Sequence, residues 1–170
     1  DATVVGSKPC TSAAPLEVRL FFRAAPAPAL RATIKNCSTK EQRVLHDAKL
    51  QPSTLALLSP RGDRAAPFDT RSNAKFDNTV YSAAFVVYAA AQERVVEEAT
   101  FVKEDSGYRV HWLPFSFSKL EPGAWKARAS FTSATADAVD GYRPSAMKRV
   151  KVPNVWLGTA DSEELTIVLP

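Results

Sequence analysis

Apolar and polar residues alternate along several segments of this chain, and this alternation constrains its fold more than any other feature. In the segment PLEVRLFFRA, residues 15–24, every second side chain is apolar: Leu16, Val18, Leu20 and Phe22. The charged side chains Glu17, Arg19 and Arg23 fall on the opposite side. Successive side chains of a β-strand point to opposite faces, so a period of two predicts a strand with one face buried.

Similar segments recur along the chain, separated by Pro, Gly, Asn and Asp, which favour turns. We predict strands over residues 15–24, 29–36, 43–50, 53–59, 81–88, 94–103, 107–112, 115–118, 125–131 and 165–169. Residues 88–99 are ambiguous, because Ala89–Ala91 suit a helix by propensity whereas Val95 and Val96 favour extended chain. We assign strands on both sides of a short connector. Many short strands with turn residues between them predict an all-β, antiparallel β-sandwich.

An aromatic-rich stretch, HWLPFSFSKLEPGAWKARASF at residues 111–131, contains a turn signal. Pro122-Gly123 favours a type II turn, because proline fixes the first central residue and glycine tolerates a positive φ at the second. We therefore predict that residues 115–118 and 125–131 form neighbouring antiparallel strands around residues 121–124. Alternation places Trp125 in the core, with Lys126 and Arg128 in solvent.

The aromatic residues of this protein allow a second interpretation besides the core. Aromatic side chains at alternating positions usually belong to a core. An exposed platform on which a ligand stacks is the alternative for Trp112, Trp125 and Trp156.

Length and charge exclude several classes of protein. A chain of 170 residues fits one domain, 1–170. It contains no apolar run of the roughly 18–20 residues that a membrane-spanning helix needs, so no membrane span is expected. The net charge is +4, with Lys and Arg spread along the chain rather than clustered. Nucleic-acid binders usually carry a concentrated basic face, so no nucleic-acid partner is expected.

The two cysteines, Cys10 and Cys37, predict a disulfide that ties an N-terminal tail, residues 1–14, to the end of the second strand. Two buried free thiols are the alternative. The chain begins at Asp1 without Met, as a mature chain does after its leader is removed or as a trimmed chain does. Because disulfides persist in oxidising compartments, we expect a secreted or periplasmic protein.

Four segments together carry a resemblance to a known class of modules: LRATIKNCST, VLHDAKLQP, FSKLEPGAWKARASF and VWLGTADSEELTIVLP. Over residues 28–170 the chain resembles the secreted immunoglobulin-like β-sandwich modules that accompany peptidases. It is also similar to small β-sandwich proteinase inhibitors of the BsuPI type. The resemblance implies an immunoglobulin-like sandwich, and it transfers no binding residue because fold does not supply function.

Motifs for catalysis are lacking in the sequence. His46 and His111 lie far apart, and there is no His-Glu-x-x-His, Gly-x-Ser-x-Gly or Gly-rich phosphate loop. The adjacent carboxylates Glu163-Glu164 would point to opposite faces of a strand, which makes them a poor catalytic pair. The sequence therefore favours a non-catalytic protein over an enzyme and predicts neither a metal nor a cofactor.

Two long loops, residues 64–78 and 133–149, are the predicted recognition surface, because loops on a rigid sandwich carry binding. The candidate binding residues are Arg71, Tyr142, Arg143, Lys148 and Arg149. The leading hypothesis is an interaction module for a protein or glycan partner. A peptidase inhibitor, which predicts a rigid exposed loop, is one alternative. A carbohydrate-binding or hydrolytic protein, which predicts an aromatic cleft, is another.

Overall fold

The computed structural model describes residues 8–47, 53–71, 79–141 and 146–170. The chain is an all-β protein of antiparallel sheets, as the alternation predicts. A short 3₁₀ helix, Ser82–Ala84, precedes the sixth strand. The strands, numbered in chain order, are β1 Leu16–Arg23, β2 Ala29–Asn36, β3 Gln42–Leu45, β4 Thr54–Leu58, β5 Phe68–Asp69, β6 Phe85–Tyr88, β7 Glu93–Thr100, β8 Val102–Glu104, β9 Gly107–Trp112, β10 Phe115–Leu120, β11 Gly123–Ser133, β12 Asp137–Asp140, β13 Lys148–Lys151, β14 Gly158–Asp161 and β15 Leu165–Leu169.

The first large sheet has the order β1-β2-β7, with β2 in the centre and β1 at one edge. β1 and β2 pair over the full length of both strands, from Leu16 opposite Asn36 to Arg23 opposite Ala29. The central strand is buried almost throughout, as a strand covered on both faces must be. The connector between β6 and β7 is a turn with Ala91 at a φ of 64°, so residues 88–99 consist of strand on both sides of a turn and contain no helix.

The second large sheet is organised around β11, which pairs with β4 on one side and with β14 and then β15 on the other. β14 and β15 behave as one edge strand interrupted by a bulge. At this bulge Ser162 is buried; its N–H donates to the carbonyl of Ala129 at 2.7 Å, and its Oγ accepts from the Ala129 N–H at 2.9 Å. The interruption turns Glu163 and Glu164 outward as exposed residues.

A third sheet has the order β5-β10-β9-β8, and two small sheets are formed by β3 with β6 and by β12 with β13. Side chains of the three larger sheets, with Tyr88 and Val44 of the β3–β6 pair, meet in one core. Its largest fully buried members include Trp112, Tyr88, Phe117, Leu30 and Ile34. A smaller apolar cluster of Leu45, Phe85, Ala138 and Val152 lies under the two small sheets.

The predicted hairpin around Pro122-Gly123 is wrong. Within the described residues β10 pairs with β9 and β5, whereas β11 pairs with β4, β14 and β15. A bulge in β10 between Phe117 and Leu120, with Lys119 at a φ of 55°, bends the chain, and Gly123 at a φ of 132° redirects it into the other sheet. The turn therefore joins two sheets rather than two paired strands. The prediction of which side chains of β11 are buried is confirmed: Trp125 is 4% exposed, and Lys126 and Arg128 are in solvent.

The predicted loop 133–149 is wrong in its described part, because it contains most of the β12–β13 hairpin. Opposite charges face each other across these strands, with Asp137 opposite Lys151 and Asp140 opposite Lys148. Such cross-strand pairs stabilise a hairpin, and the buried Ala138 anchors it to the smaller core. The predicted loop 64–78 contains the two-residue strand β5, and its residues 72–78 lie outside the described residues.

The Cys10–Cys37 disulfide is present. It fastens residues 8–12, which we call the N-terminal arm, to the end of β2. In the part of the chain that the structure describes, no helix has the length and apolar character needed to cross a membrane.

Candidate ligand-binding groove

A groove of about 530 Å³ runs along the edge of β1, within the roughly 300–1,000 Å³ typical of ligand pockets. We call it the β1 groove. Its floor is β1 from Glu17 to Phe21, one wall is the N-terminal arm, and the other is the bulged segment from Asp161 to Leu165. The three parts come from distant segments of the sequence and are brought together only by the fold.

The groove opens on the hydrogen-bonding edge of β1 rather than on one of its faces. Val18 and Leu20 lie on the inner face of the strand and Arg19 on the outer face, yet all three line the groove. Side chains of both faces of a strand can border the same space only along an edge. Among the described residues β1 pairs only with β2, so its other edge has no neighbouring strand.

The register of β1 shows which backbone groups reach this edge. The carbonyl of Pro15 accepts from the N–H of Cys37 at 2.8 Å, so Pro15 faces β2. In an antiparallel pair the backbone groups of successive residues turn to opposite sides. The N–H and C=O groups of four residues therefore point into the groove side: Leu16, Val18, Leu20 and Phe22.

Arg19 is the residue that holds the wall formed by the arm. Its guanidinium donates from Nη1 to the carbonyl of Lys8 at 2.9 Å and from Nη2 to the carbonyl of Pro9 at 2.8 Å. The same group pairs with Glu17 through Nε at 2.9 Å and with Glu93 through Nη1 at 3.2 Å. An arginine whose donors are divided among fixed partners is a positioning group, and its charge is offset before a ligand arrives.

Glu93 lies at the bottom of this network and is 1% exposed. It accepts from Thr33 Oγ1 at 2.5 Å as well as from Arg19. Lys35, on the neighbouring strand, donates from Nζ to the carbonyl of Lys8 at 2.6 Å. Buried charges are tolerated only when they are paired and hydrogen-bonded, and here the pairing fastens the arm to the sheet.

Glu17 is the second carboxylate of the network and also binds the arm. Burial raises the pKa of Glu17, but the hydrogen bond from the Thr11 N–H and the contacts with Arg19 outweigh it and leave the pKa below its usual value. Glu17 is thus held as a carboxylate, and its Oε2 accepts from the Thr11 N–H at 2.9 Å.

The groove is acidic although the protein is basic. Five carboxylates line it against one lysine and one arginine, whereas the whole chain carries a net charge of +4. Glu17 and Glu93 are occupied by Arg19, which leaves Asp161, Glu163 and Glu164 as an exposed acidic wall. Glu164 also contacts Lys126 at 3.3 Å, and Asp161 accepts a hydrogen bond from the Ser130 hydroxyl. The arrangement therefore suits a ligand with positive charge and some apolar surface.

The structure places the predicted binding residues elsewhere and on different elements. Arg71, two residues after the end of β5, makes a bidentate contact with the carboxylate of Asp69. Lys148 and Arg149 are exposed on β13, where Lys148 faces Asp140 across the hairpin. Tyr142 and Arg143 lie outside the described residues. None of the described candidates lines the β1 groove.

The tryptophans do not form an exposed platform. Trp112 is fully buried and donates from Nε1 to Ser53 Oγ at 3.0 Å, and Trp125 donates to the carbonyl of Glu121 at 2.8 Å. Trp156 is half-buried and stacks on Phe131. Trp112 and Trp125 are therefore core residues.

His46 is half-buried among aromatic side chains. Its Nε2 lies 2.9 Å from the Tyr88 hydroxyl, and its ring makes edge contacts with Tyr88 and Phe131. Burial, and then the charge of Arg94, lower the pKa of His46 to about 4. The imidazole is therefore neutral at pH 7 and supports packing around Tyr88.

A grouping of potential metal ligands lies beside the groove: Cys10, Cys37 and Glu17, with their donor atoms within 4.8 Å of one another. Both sulfurs are joined in the disulfide, so neither offers the thiolate that a metal requires.

Comparison with protein-family models, with curated proteins and with solved structures finds no match. The candidate site therefore stands on its geometry. Sequence reasoning missed the groove because it considered Glu163-Glu164 only as a catalytic pair, whose side chains would diverge in a strand. In the structure both line the groove, and the signal for the bulge that places them there is the polar run Asp161-Ser162 before them.

Proposed function

We propose that this chain is a non-catalytic binding module that acts outside the cytoplasm, secreted or periplasmic, and that its ligand lies in the β1 groove. The observation that carries the proposal is an edge of β1 that lies between two walls and that no strand of the described ranges pairs with. Proteins normally cover or charge an edge strand to prevent association. Here no described strand pairs with the edge, which forms the floor of a cavity of ligand size.

The location outside the cytoplasm is supported by the disulfide, which ties down one of the walls. Structural disulfides persist in oxidising compartments and are rare in the cytosol. The arm would be fastened only by its non-covalent contacts in a reducing compartment.

The binding role is favoured over catalysis by the pairing of two carboxylates in the groove. Glu17 and Glu93 both contact Arg19, an arrangement that fixes both side chains. A catalytic acid–base pair needs two carboxyl groups whose pKa values differ and that reach the substrate. The geometry instead supplies a rigid frame with charge and hydrogen-bonding groups directed at a ligand.

The two alternative functions have weaker support. A carbohydrate platform requires exposed aromatic rings, whereas Trp112 and Trp125 are in the core. A peptidase inhibitor requires an extended exposed loop. The exposed Leu113 occupies a two-residue turn between β9 and β10, which is too short to lie extended in a peptidase cleft.

The test is to fill the groove without disturbing the sheet. Ser12 is an exposed residue of the arm that lines the groove, so Ser12→Trp places a large side chain in the binding space. Ser118→Trp makes the same change at an exposed position of β10 away from the groove. The probes are a random dodecapeptide library displayed on phage and an array of immobilised glycans, both screened with the parent protein.

We expect ligands selected on the parent to lose about ten-fold or more in affinity with Ser12→Trp and to keep their affinity with Ser118→Trp. A selected ligand that binds both variants equally would place the site outside the groove. Failure of the parent to enrich anything from either collection would contradict the binding role itself.

A further inference from the structure

We propose that the occupant of the β1 groove is a short, extended, basic peptide segment that adds to the edge of β1 as a further strand. This inference rests on the proposed function and specifies its ligand. Main-chain hydrogen bonds supply affinity in this mode of recognition, and alternate side chains supply specificity.

The hydrogen-bonding groups needed for strand addition are present along the floor. Val18 and Leu20 direct their N–H and C=O groups away from β2, as the register with Cys37 requires. These groups belong to an ordered strand whose other side is already fixed by β2. Among the described residues no strand pairs with these groups, so they offer a preformed template to an extended peptide.

The length of the floor sets the length of the peptide. Five residues of β1, from Glu17 to Phe21, line the groove. At about 3.3 Å per residue they span roughly 13 Å, which accommodates about four or five residues of an added strand. Longer peptides can bind, but only this central part can contact the floor.

The walls determine which side chains the peptide carries. An added strand would direct every second side chain towards the bulged segment, where Asp161, Glu163 and Glu164 are exposed beside the half-buried Leu165. Lysine and arginine match this surface, because an aliphatic stem can cover Leu165 while the charged end reaches a carboxylate. An acidic peptide would meet like charge on the same wall.

A second copy of this chain is a poorer occupant than a separate peptide. Its own β1 edge is flanked by an arm and an acidic wall, so two copies would bring two acidic walls together. A single extended segment has no such flanks and enters between the walls. Edge-to-edge dimerisation remains an outcome that the oligomeric state would reveal.

The experiment uses an octapeptide of alternating lysine and valine, with both ends blocked, and the same peptide with glutamate in place of lysine. Two further versions of the lysine peptide carry N-methyl groups on the backbone, on every lysine or on every valine. In a strand, the N–H groups of alternate residues face the same neighbour. One methylated version therefore blocks pairing with β1, while the other places its methyl groups on the outer side.

We expect the lysine peptide to bind and the glutamate peptide to bind about ten-fold more weakly or worse. One methylated version should lose about ten-fold or more in affinity while the other keeps most of it. Glu163→Lys should weaken the lysine peptide, whereas Asp105→Lys, the same reversal in the exposed turn before β9, should not. In the complex, the amide protons of Val18 and Leu20 should exchange more slowly.

Several results would overturn the inference. Equal binding of both methylated versions, or binding without slower exchange at Val18 and Leu20, would exclude strand addition. A further possible result is that no basic peptide binds, whereas a glycan selected from the array loses affinity for Ser12→Trp. The groove would then be a site for another ligand class, and the proposed function would hold without this inference. Dimerisation of the parent that depends on the β1 edge would assign the groove to a second copy.

Discussion

Replacing both cysteines with serine tests how far the N-terminal arm depends on its covalent link. Cys10 and Cys37 are 27 positions apart. A cross-link that closes a loop of this size removes about 12 cal/mol/K of chain entropy from the unfolded state, or about 3.6 kcal/mol near 25 °C. We therefore expect Cys10→Ser/Cys37→Ser to lower the free energy of unfolding by about 3–4 kcal/mol, a large share of the ~5–15 kcal/mol typical of a domain.

Urea denaturation followed by tryptophan fluorescence measures this loss. Trp112 and Trp125 are buried in the core, so their emission reports global unfolding rather than release of the arm. The parent protein treated with a reductant is the matched control, because it breaks the same bond without a substitution. Mass measurement should show the reduced parent heavier by two hydrogens.

Release of the arm has its own readout in hydrogen exchange. The Thr11 N–H is bonded to Glu17 and is protected only while the arm lies on the sheet. Its protection should fall in the double variant, because the remaining arm contacts are hydrogen bonds that each contribute about 1–3 kcal/mol. A loss of stability below about 1 kcal/mol, with Thr11 still protected, would refute the reasoning and show that Arg19 and Lys35 hold the arm without the disulfide.

Three further predictions concern the core, the half-buried His46 and the expectation that no metal is required. Trp125→Ala should lower stability by about 3–5 kcal/mol in urea denaturation, as truncation of a buried aromatic does, whereas Lys126→Ala should cost less than about 1 kcal/mol because its ion pair is exposed. An unchanged stability of Trp125→Ala would remove it from the core. Burial lowers the pKa of His46 to about 4 in the folded protein, below its ordinary value of 6.5, so the contribution of the neutral imidazole to stability is complete above pH 6.5 and is lost as the pH falls through 4. His46→Gln should reduce the dependence of stability on pH in that window; equal pH profiles for parent and His46→Gln would contradict the assignment. Chelator treatment should leave Tm unchanged, and a fall that one added metal restores would reveal a site that was missed.

Local alternation predicted most of the strands because it records which side chains are buried, and burial is decided residue by residue. β1, β2, β9 and β15 lie where the pattern puts them, within about two residues at each end. Trp125 was assigned to the core for the same reason. The Cys10–Cys37 pairing needed no geometry, since two cysteines allow only one intramolecular disulfide.

Pairing between strands was not predictable from the same pattern. Pro122-Gly123 signals a turn, but a turn residue does not specify whether the chain returns to the same sheet. The bulge in β10 at Lys119 and the conformation of Gly123 redirect the chain, and β11 then pairs with strands from residues 54–58 and 158–169. These partners are distant in sequence, and the alternation of apolar and polar residues does not indicate which strands pair. The hairpin β12–β13 was missed because its strands are short and polar.

The groove could not be predicted from the sequence for a related reason. Its floor, its arm and its acidic wall are separated by up to about 150 positions, and each alone has an ordinary explanation. Glu17 and Arg19 fit the solvent face of a strand, and Glu163-Glu164 fit a polar turn. Only the close approach of β1 to β14 and β15 gives the three segments a common cavity.

Charged side chains beside an edge strand are also a means by which proteins protect that edge from pairing with another sheet. The shape of the cavity distinguishes such protection from ligand binding. Protection requires only that a flat sheet edge cannot approach, which a bulge or a single inward charge achieves. The bulge at Ser162 already interrupts the β14–β15 edge in this way. On β1 the arm and the acidic wall stand apart and leave about 530 Å³ between them. Such walls exclude a second sheet yet admit one extended segment, so edge protection and strand addition are compatible at the same site.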